Sequence, residues 1–379
     1  MAAYCDAIVV GAGPAGLAAS AALRAHGLDA LILEKSDSVG SVWRRHYDRL
    51  HLHTDRVHSG LPGMAMPKAY GRYPSRAQVV EYLEAYAAKF ALAPVFNAAV
   101  GAIRRDGSLW RAETGQDAWR APNVVIATGW ADFPYSPTWP GVETFSGPVL
   151  HSSLYRNPAP FAGKRVLVVG YGNSGAEIAL DLSEAGIDVT LAVRSPVNII
   201  PRELFGLPIL VFPIAEQWLA PRAADLLNAP AIRLAVGSLT AAGLKKAAKG
   251  PLTTIAEDGR PPLIDIGTLA AIRAGRIKVR SDVAGFTAAG VAFTQSPEEP
   301  FDAVILATGF RPDLRPLLPD AEDVLSATGF PLVSGRATAE PGLFFCGAIV
   351  SPIGQLRQIA IEANAIAEAI AKGAAARAA

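Results

Sequence analysis

Short apolar runs alternate with longer helical patterns along the chain, and two of these runs lead into glycine-rich turns. Ala7–Val10 precedes the first turn and Val166–Val169 precedes the second. Each turn opens an alanine-rich stretch, which is followed by another apolar run. A buried strand, a tight turn, a helix and a second strand in this order are typical of a βαβ unit in a parallel sheet. The pattern therefore predicts two such units, roughly 160 residues apart.

Both turns have the spacing G-x-G-x-x-G. Glycines at this spacing allow a tight turn and a close approach of the backbone to phosphates, which bind at the N-terminus of the following helix. One such motif is weak evidence because glycines occur in any tight turn, but two motifs in the same strand–turn–helix context are strong. We expect the turns to hold two pyrophosphates, through Gly11, Gly13, Pro14, Ala15 and Gly16 and through Gly170, Gly172, Asn173, Ser174 and Gly175.

The residues at the end of the second strand of each unit differ in charge. The first unit ends at Glu34, whose carboxylate is suited to accept a hydrogen bond from a ribose 2′-hydroxyl. The second unit has Val193 and Arg194 at this place. Valine cannot accept such a bond, whereas arginine suits a 2′-phosphate. The chain is therefore predicted to bind one dinucleotide without and one with a 2′-phosphate, and FAD with NADPH is the most economical pair.

After each βαβ unit the same plan recurs. Short strands meet at turns such as Asp106-Gly107, a strong hairpin signal, and Ile277–Arg280 and Val291–Thr294 flank a similar turn in the second half. Each half then closes with a buried strand followed by Ala-Thr-Gly, which ends at Gly129 and at Gly309. We expect each Ala-Thr-Gly to lie where a strand emerges beside a cofactor, because glycine permits a close approach of the backbone.

Two further helices are predicted outside the repeated plan. Ser75 is expected to cap one of them, with Gln78 three residues later. Near the C-terminus, Gly342–Cys346 has the composition of a buried strand and precedes a helix from about Gln355 to Lys372. A return of the chain to the first domain explains this last strand and helix.

The predicted fold class is α/β, with two Rossmann-like, three-layer dinucleotide-binding domains, the second inserted in the first. Residues 1–155 together with 305–379 are expected to bind FAD, and residues 156–304 to bind NADPH. Residues 195–267 exceed what this plan needs and contain many prolines. We expect them to form a mixture of helix and loop that covers one side of the active site.

Charge and hydropathy narrow the range of partners. The chain of 379 residues has 35 Lys and Arg and 34 Asp and Glu, a net charge of +1, so nothing favours nucleic acid as a partner. The apolar segment 207–221 is interrupted by Pro208, Pro213 and Glu216 and is too short for a membrane span. The N-terminus lacks the pattern of a signal peptide. We expect a cytoplasmic protein with no membrane span, and the sequence leaves its oligomeric state unknown.

The thiols and histidines predict no metal site. Cys5 and Cys346 are the only cysteines, which excludes a C-x-x-C redox pair and a zinc cluster and favours small core residues. The chain also has four histidines close together, His46, His51, His53 and His58. No carboxylate spacing supports a metal ion among them.

The segment between the two halves carries a family pattern. It runs from Phe145 to Tyr155, includes His151, and fits F-x-G-x-x-x-H-x-x-x-Y. This pattern resembles the identifying sequence of flavin-containing monooxygenases. The similarity extends from about residue 6 to residue 365, and it is greatest to the YUCCA-type branch, plant enzymes that convert indole-3-pyruvate to indole-3-acetate. Three segments look like those of that branch: Tyr47-Asp48-Arg49-Leu50, Asn173-Ser174-Gly175 and Asp265-Ile266-Gly267-Thr268-Leu269.

The resemblance implies a monooxygenase whose partners are O₂ and a small-molecule substrate. In this family NADPH reduces FAD, and O₂ then forms a C4a-(hydro)peroxyflavin that transfers one oxygen atom to the substrate. The YUCCA-type segments favour oxidative decarboxylation of an aryl 2-oxo acid such as indole-3-pyruvate. N- or S-oxygenation and Baeyer–Villiger insertion are alternatives. An NADPH-dependent flavoprotein reductase without oxygen insertion is another.

The resemblance also implies contacts with FAD. Lys35 is expected near the adenine end, and Trp43 and Arg44 lie in a segment that resembles one wrapping the cofactor. Gly347 is expected at the same cofactor. The helix that begins at Gln355 is expected to direct its N-terminus at the pyrimidine end of the isoalloxazine, where its partial positive charge stabilises anionic reduced flavin.

Two histidines are candidate catalytic residues. His53 falls where other family members place a polar residue that faces the flavin, and the alternative is a solvated loop histidine. His151 has a suitable pKa for a general base, but we favour a structural role in which its hydrogen bonds fix the segment between the halves. Arg202 and Arg357 are candidates for binding a substrate carboxylate, although arginines are more often cofactor or surface residues.

Overall fold

The computed structural model describes residues 5–378, which form nineteen β-strands and nine α-helices. The strands are β1 (Ala7–Val10), β2 (Ala30–Leu33), β3 (Ala102–Asp106), β4 (Leu109–Glu113), β5 (Ala118–Ala121), β6 (Asn123–Ile126), β7 (Val149–His151), β8 (Arg165–Val169), β9 (Asp188–Ala192), β10 (Ile199–Pro201), β11 (Glu203–Leu204), β12 (Leu207–Pro208), β13 (Leu263–Asp265), β14 (Ile277–Arg280), β15 (Val283–Phe286), β16 (Gly290–Phe293), β17 (Ser296–Pro300), β18 (Ala303–Leu306) and β19 (Leu343–Phe345). The helices are α1 (Pro14–Ala25), α2 (Ser41–Arg45), α3 (Arg76–Lys89), α4 (Asn173–Glu184), α5 (Val211–Ala215), α6 (Pro221–Val236), α7 (Pro251–Asp258), α8 (Thr268–Arg273) and α9 (Gln355–Ala378).

The described chain divides into two compact units. Unit 1 comprises residues 5–44, 54–133 and 311–378, and unit 2 comprises residues 45–53 and 134–310. Unit 2 is therefore inserted in unit 1 along the sequence, and the predicted fold class is confirmed. The boundaries between the units fall at 44/45, 53/54, 133/134 and 310/311, which differ from the predicted boundaries at 155/156 and 304/305. The reason is that β7 and β18 pair with each other inside the sheet of unit 2.

Unit 1 is built on a parallel sheet with the strand order β19-β6-β1-β2. Ala7 in β1 lies opposite Ala30 in β2 and opposite Asn123 in β6. All four residues of β1 are buried, as expected for a central strand covered on both faces. Because β2 and β6 flank β1 on opposite sides, the carboxyl end of β1 is the switch point at which open α/β sheets bind ligands. The first glycine-rich turn begins there.

Unit 2 repeats this arrangement in a parallel sheet with the order β14-β9-β8-β18-β7. Val166 in β8 lies opposite Val189 in β9 and opposite Ala303 in β18. The carboxyl end of β8 is therefore the corresponding switch point, and the second glycine-rich turn begins there.

Each unit also contains an antiparallel three-stranded sheet, β3-β4-β5 in unit 1 and β15-β16-β17 in unit 2. Asp106 pairs with Leu109, which confirms the hairpin at Asp106-Gly107. The prediction that Ile277–Arg280 belongs to such a hairpin sheet was wrong, because this strand is the edge of the parallel sheet and Ile277 pairs with Val189. A strand of four residues with one half-exposed face shows the same sequence of apolar and polar residues at the edge of a parallel sheet as in an antiparallel hairpin sheet.

Helices α3 and α9 complete unit 1. The Ser75 hydroxyl accepts a hydrogen bond from the Gln78 backbone N–H at 3.3 Å, and the Gln78 side chain accepts one from the Ser75 N–H at 3.0 Å, so the predicted capping box is confirmed. Helix α9 packs on α1, with Ile359, Ala363 and Ile366 on its buried face. With β19 paired to β6, this contact returns the chain to unit 1.

Residues 195–267 of unit 2 are a mixture of short strands, helices and loop. Helix α6 exposes large apolar side chains, among them Leu226 and Leu234. The predicted role of this segment, to cover the active site, stays a prediction. No helix within residues 5–378 combines the length and the apolarity that crossing a bilayer requires.

Candidate functional site

The first glycine-rich turn is packed so closely against neighbouring backbone that two of its positions have no room for a side chain. A Cβ on Gly16 would lie 1.8 Å from the carbonyl oxygen of Gly11, and a Cβ on Gly11 would lie 2.6 Å from the carbonyl oxygen of Ala127. Gly11 also has a φ of +110°, which disfavours side chains. The start of α1 is thereby held against the carboxyl ends of β1 and β6.

Gly13 in the same turn is in the opposite situation, since nothing lies within 4 Å of a Cβ built on it. Gly13 is the N-cap of α1, where no side chain caps the helix and the first turn contains no acidic residue. The free N–H groups and partial positive charge of such a helix end attract an anion. The cradle formed by Gly13, Pro14 and Ala15 therefore fits a pyrophosphate.

Glu34 lies beside this turn and is buried. Its Oε2 accepts a hydrogen bond from the backbone N–H of Ala12 at 2.6 Å, and its Oε1 accepts one from the N–H of Ser36 at 2.9 Å. Each carboxylate oxygen has a second lone pair for a further donor. The position suits the predicted contact with a ribose hydroxyl, and that contact stays a prediction.

The second glycine-rich turn has the same geometry as the first. A Cβ on Gly175 would lie 2.1 Å from the carbonyl oxygen of Gly170, and one on Gly170 would lie 2.4 Å from that of Ala307. A Cβ on Gly172 meets nothing within 4 Å, and the first turn of α4 has neither a side-chain cap nor an acidic residue. This turn therefore also fits a pyrophosphate.

Other predicted NADPH contacts are distributed around this turn. The Asn173 side chain accepts a hydrogen bond from the Ile264 N–H at 2.8 Å and donates one to the Pro262 carbonyl, so it anchors the chain beside this turn. Arg194 is exposed after the carboxyl end of β9. Its location at the carboxyl end of the strands, beside the second glycine-rich turn, suits a phosphate contact.

Three side chains predicted near FAD follow β2 in unit 1. Lys35 forms an ion pair with Asp132 at 2.8 Å. The guanidinium of Arg44 pairs with Glu84, and its Nε donates to the carbonyl oxygen of Val39 at 3.1 Å. Trp43 lies half-buried on α2. The two cations are thus held within unit 1, and their contacts with FAD stay predictions.

The loop before α9 is fixed by side chains. Gln355 Nε2 donates to the carbonyl oxygens of Gly347 and Ile349, each at 3.2 Å, so this side chain braces the loop. The Gly347 N–H donates to Oε2 of the buried Glu362 at 2.7 Å. The predicted contact of Gln355 with FAD is therefore left to the backbone of the helix N-terminus, and it stays a prediction.

A small pocket of unit 1 is lined by Gly129, Trp130 and Cys346. The indole N–H of Trp130 is buried and has no partner among residues 5–378. Buried donors are rarely left unpaired, so this N–H is suited to a bound group. Gly129 lines this small pocket, and its predicted place beside a cofactor stays a prediction.

His151 is buried and holds two segments of unit 2 together. Its Nδ1 accepts the N–H of Ser153 at 3.2 Å, and its Nε2 lies 3.0 Å from the carbonyl oxygen of Gly309, to which it donates. Burial lowers the pKa of the imidazole. Both ring nitrogens are thus occupied in the neutral ring. This geometry supports the structural role that we favoured for His151 over that of a general base.

The two cysteines are buried and unpaired, which confirms that they are small core residues. Burial raises the pKa of both Cys5 and Cys346, so their thiols resist conversion to reactive thiolates. Within residues 5–378 no group of three or more His, Cys, Asp or Glu side chains is arranged to hold a metal ion.

His53 is part of a buried polar cluster in unit 2. Its Nε2 lies 2.5 Å from Oε1 of Glu177, whose side chain is 2% exposed. Burial, together with the charge of the nearby Glu177, raises the pKa of Tyr47 well above its ordinary value. The alternative of a solvated loop histidine does not match this setting, since the His53 side chain is only 18% exposed.

Sequence reasoning missed Glu177 and Tyr47 as members of this cluster. One signal was present: Glu177 interrupts the apolar residues of α4, and every residue from Gly175 to Leu180 is buried. A carboxylate inside such a run requires a polar partner. The sequence does not show that this partner is His53, which is 124 positions away.

Relatives of the chain agree with this geometry. The family model described as pyridine nucleotide-disulphide oxidoreductase matches residues 8–201. The chain is 42% identical to the indole-3-pyruvate monooxygenase YUCCA1 of Oryza sativa subsp. japonica, over 85% of this chain and 81% of that protein. It is 38% identical to the probable indole-3-pyruvate monooxygenase YUCCA4 of Arabidopsis thaliana, over 80% of this chain and 75% of that protein.

Solved structures show the same fold. A flavin-containing monooxygenase from Stenotrophomonas maltophilia has a TM-score of 0.72 and 28% identity, over 99% of both chains. The open structure of cyclohexanone monooxygenase has a TM-score of 0.75 over 98% of this chain and 88% of that chain. At 19% identity it supports the fold alone.

Two dinucleotide cradles on two Rossmann-like sheets define the chain as a flavoprotein oxidoreductase that uses FAD and NADPH. The family description mentions disulphides, but the two cysteines here are unpaired and distant in sequence. The chain belongs to the YUCCA-type flavin-containing monooxygenases, as its sequence predicts, and it is an FAD- and NADPH-dependent monooxygenase.

Proposed function

We propose that this monooxygenase oxygenates an aryl 2-oxo acid with loss of carbon dioxide, and that indole-3-pyruvate is its substrate. The observation that carries the proposal is 36–42% identity, over most of the chain, to relatives named as indole-3-pyruvate monooxygenases. The reaction balances as 2-oxo acid, O₂, NADPH and a proton giving the shortened carboxylic acid, CO₂, water and NADP⁺. One oxygen atom enters the new carboxylate and the other leaves as water.

The protein's part in this reaction is to hold two dinucleotides. FAD, when bound, supplies the chemistry that accepts hydride and activates O₂. The cradle of unit 1 around Gly13 would hold the FAD pyrophosphate, and Glu34 would accept the ribose hydroxyl. The cradle of unit 2 around Gly172 would hold NADPH, and Arg194 would bind the 2′-phosphate.

The two histidines have different parts in the proposal. His53 would present a polar ring to the reacting centre, with one nitrogen held by Glu177. His151 would keep Gly309 and the chain after β18 in place through its bond to the Gly309 carbonyl. Only His53 is therefore expected to change the fate of the oxygen atom when it is replaced.

The proposal is tested by product analysis. The FAD-loaded protein is mixed with NADPH, ¹⁸O₂ and indole-3-pyruvate, and the products are followed by mass spectrometry. We expect indole-3-acetate with one ¹⁸O in its carboxylate and one CO₂ for each NADPH consumed in productive turnover. Phenylpyruvate and a tertiary amine in parallel reactions distinguish a general aryl 2-oxo acid enzyme from an N-oxygenating one.

Other outcomes reject the proposal. NADPH consumption that yields only hydrogen peroxide, whatever substrate is added, indicates a reductase without oxygen insertion. Oxygenation of the amine without any turnover of the 2-oxo acids indicates N-oxygenation. A dehydrogenated 2-oxo acid without ¹⁸O would also contradict it.

Arg194 gives a test of the NADPH site that is independent of the substrate. Loss of a charge-assisted bond to phosphate costs roughly 1.5–3 kcal/mol, so Arg194→Gln should lower kcat/KM for NADPH about tenfold to a hundredfold and leave that for NADH unchanged. The matched control is Arg276→Gln, an exposed cation just before β14, at the amino end of the strand next to β9, whereas Arg194 follows the carboxyl end of β9. Equal losses in both variants, or an equal loss with NADH, would contradict the assignment of Arg194.

A further inference from the structure

Glu177 is a buried carboxylate in an otherwise apolar part of α4. Its neighbours Ala176, Ile178 and Ala179 are core residues, and its own side chain is 2% exposed. A buried carboxylate is costly unless it is paired, and an apolar residue of similar size often serves packing as well or better. Packing therefore does not explain an acid at this position, and its role must follow from its polar contacts.

The contact of Glu177 with His53 has a definite direction. A carboxylate only accepts hydrogen bonds, so Nε2 of His53 must donate to Oε1 of Glu177 at 2.5 Å. Tyr47 is near enough to Glu177 for the charge of that carboxylate to contribute to the raised pKa of the Tyr47 hydroxyl. All three residues belong to unit 2.

This arrangement fixes which nitrogen of His53 carries a proton. With Nε2–H donated to Glu177, Nδ1 has no partner among residues 5–378, and the ring keeps an exposed edge. A carboxylate bonded to one imidazole nitrogen sets the tautomer and the orientation of the ring, and so decides what the other nitrogen presents.

We propose that Glu177 is a positioning residue, which fixes the ring and the tautomer of His53. The importance of His53 for oxygen transfer rests on the proposed function. The orientation of His53 by Glu177 does not, because it follows from the contacts of unit 2 alone.

The test combines a spectroscopic and a kinetic measurement on the full chain. Long-range ¹H–¹⁵N spectra report the protonated nitrogen of each of the six histidines, and His53→Gln identifies the signal of His53. We expect a proton on Nε2 of His53 in the unmodified protein. In Glu177→Gln, whose amide is able to donate as well as accept, we expect the Nδ1–H tautomer to appear.

Asp181→Asn is the matched control. Asp181 lies one turn further along α4 and accepts a hydrogen bond from the Tyr155 hydroxyl at 2.7 Å, so it is a second acid of the same helix, half-buried where Glu177 is buried. We expect the His53 signal of Asp181→Asn to be unchanged. The comparison separates the loss of a charge in α4 from the loss of the contact with His53.

The kinetic measurement is the partition of consumed NADPH between hydrogen peroxide and oxygenated product. In Glu177→Gln we expect the share that reaches product to fall about tenfold, with the balance released as hydrogen peroxide. Asp181→Asn should keep the unmodified partition.

Two results would overturn the proposal: an Nδ1–H tautomer in the unmodified protein, or an unchanged His53 signal in Glu177→Gln. A shifted signal with an unchanged partition would instead contradict the part of His53 in oxygen transfer. The tautomer in the unmodified protein is measured without any Glu177 variant, so this result decides the proposal even if Glu177→Gln does not fold. Failure of the unmodified enzyme to oxygenate any 2-oxo acid rejects the proposed function, while the tautomer measurement still decides the role of Glu177.

Discussion

At single positions, the glycines of the two turns fall into two kinds. Gly16 and Gly175 are required by the chain, since a Cβ on either would collide with a carbonyl oxygen of its own turn. Gly13 and Gly172 have open space where a Cβ would be, and their extended backbone is one that any residue adopts. In the second pair, glycine leaves room for a phosphate and does not serve the fold.

This difference predicts opposite behaviour of two alanine variants. Gly13→Ala should unfold in urea within roughly 0.5 kcal/mol of the unmodified protein when both are free of FAD, because the methyl group meets nothing. The same methyl group occupies the space for phosphate, so bound flavin absorbance per protein should be largely lost. Gly16→Ala should lose about 3 kcal/mol or more of unfolding free energy. A Gly13→Ala variant that retains its flavin would show that the pyrophosphate lies elsewhere.

His151 gives the protein a pH dependence of stability that has a definite sign. Burial holds the pKa of the folded imidazole below its ordinary value of 6.5. Well above pH 6.5 both folded and unfolded rings are neutral, and the full contribution to stability is present. As the pH falls from 6.5 through the lowered pKa, the unfolded state takes up the proton first, and this contribution is lost.

His151→Gln removes this titration and keeps a side-chain donor for the Gly309 carbonyl. The melting temperature of the unmodified protein should fall more steeply between pH 7 and pH 5 than that of the variant. Other titrating groups contribute to both curves and cancel in the difference. Parallel curves would show that His151 is not protonated on unfolding in this range.

Among the helices and strands, those beside a motif were predictable and the others were less so. The strands next to both turns, the capping box at Ser75 and the hairpin at Asp106 were predicted because local chemistry specifies them. Strand β14 was assigned to the wrong sheet, because its neighbour β9 is some 90 residues away and a strand of four residues carries no information on its pairing partner.

The capping box of α3 is testable as an isolated element. Ser75 satisfies the N–H of Gln78, so Ser75→Ala should cost about 1 kcal/mol of unfolding free energy in urea, whereas Ser75→Gly should cost only a few tenths. Buried Val79, Tyr82 and Tyr86 on the same helix are untouched by either change. Equal losses for alanine and glycine would mean that the hydroxyl is not the group that stabilises the helix.

The candidate site was predictable where a motif carries it and unpredictable where it depends on tertiary pairing. The two cradles follow from spacing alone, since the glycines specify both the turn and the space for phosphate. The partner of His53 does not, because Glu177 is 124 positions away along the chain. Side chains such as Arg44 and Gln355 were predicted to touch FAD, and the structure shows that each also holds its own unit together.

For the molecule as a whole, the two cradles lie in separate compact units, each on its own sheet. The cradle around Gly13 uses only residues of unit 1, and that around Gly172 only residues of unit 2. A ligand that binds only the folded protein stabilises it in proportion to its affinity and concentration. The two dinucleotides should therefore stabilise the protein through separate sites. A substitution in one cradle should remove binding at that site and leave the other site intact.

Calorimetric titration and thermal unfolding with NADP⁺ test this separation. At a concentration of about 100 times its dissociation constant, NADP⁺ should add about 2.7 kcal/mol to the unfolding free energy of the part of the protein that contains its site. We expect this gain in the unmodified protein and in FAD-free Gly13→Ala, because the second cradle is complete without flavin. Gly172→Ala should keep its flavin and lose the gain. If FAD-free Gly13→Ala does not bind NADP⁺, then bound flavin forms part of the nucleotide site, and the cradle of unit 2 is insufficient by itself.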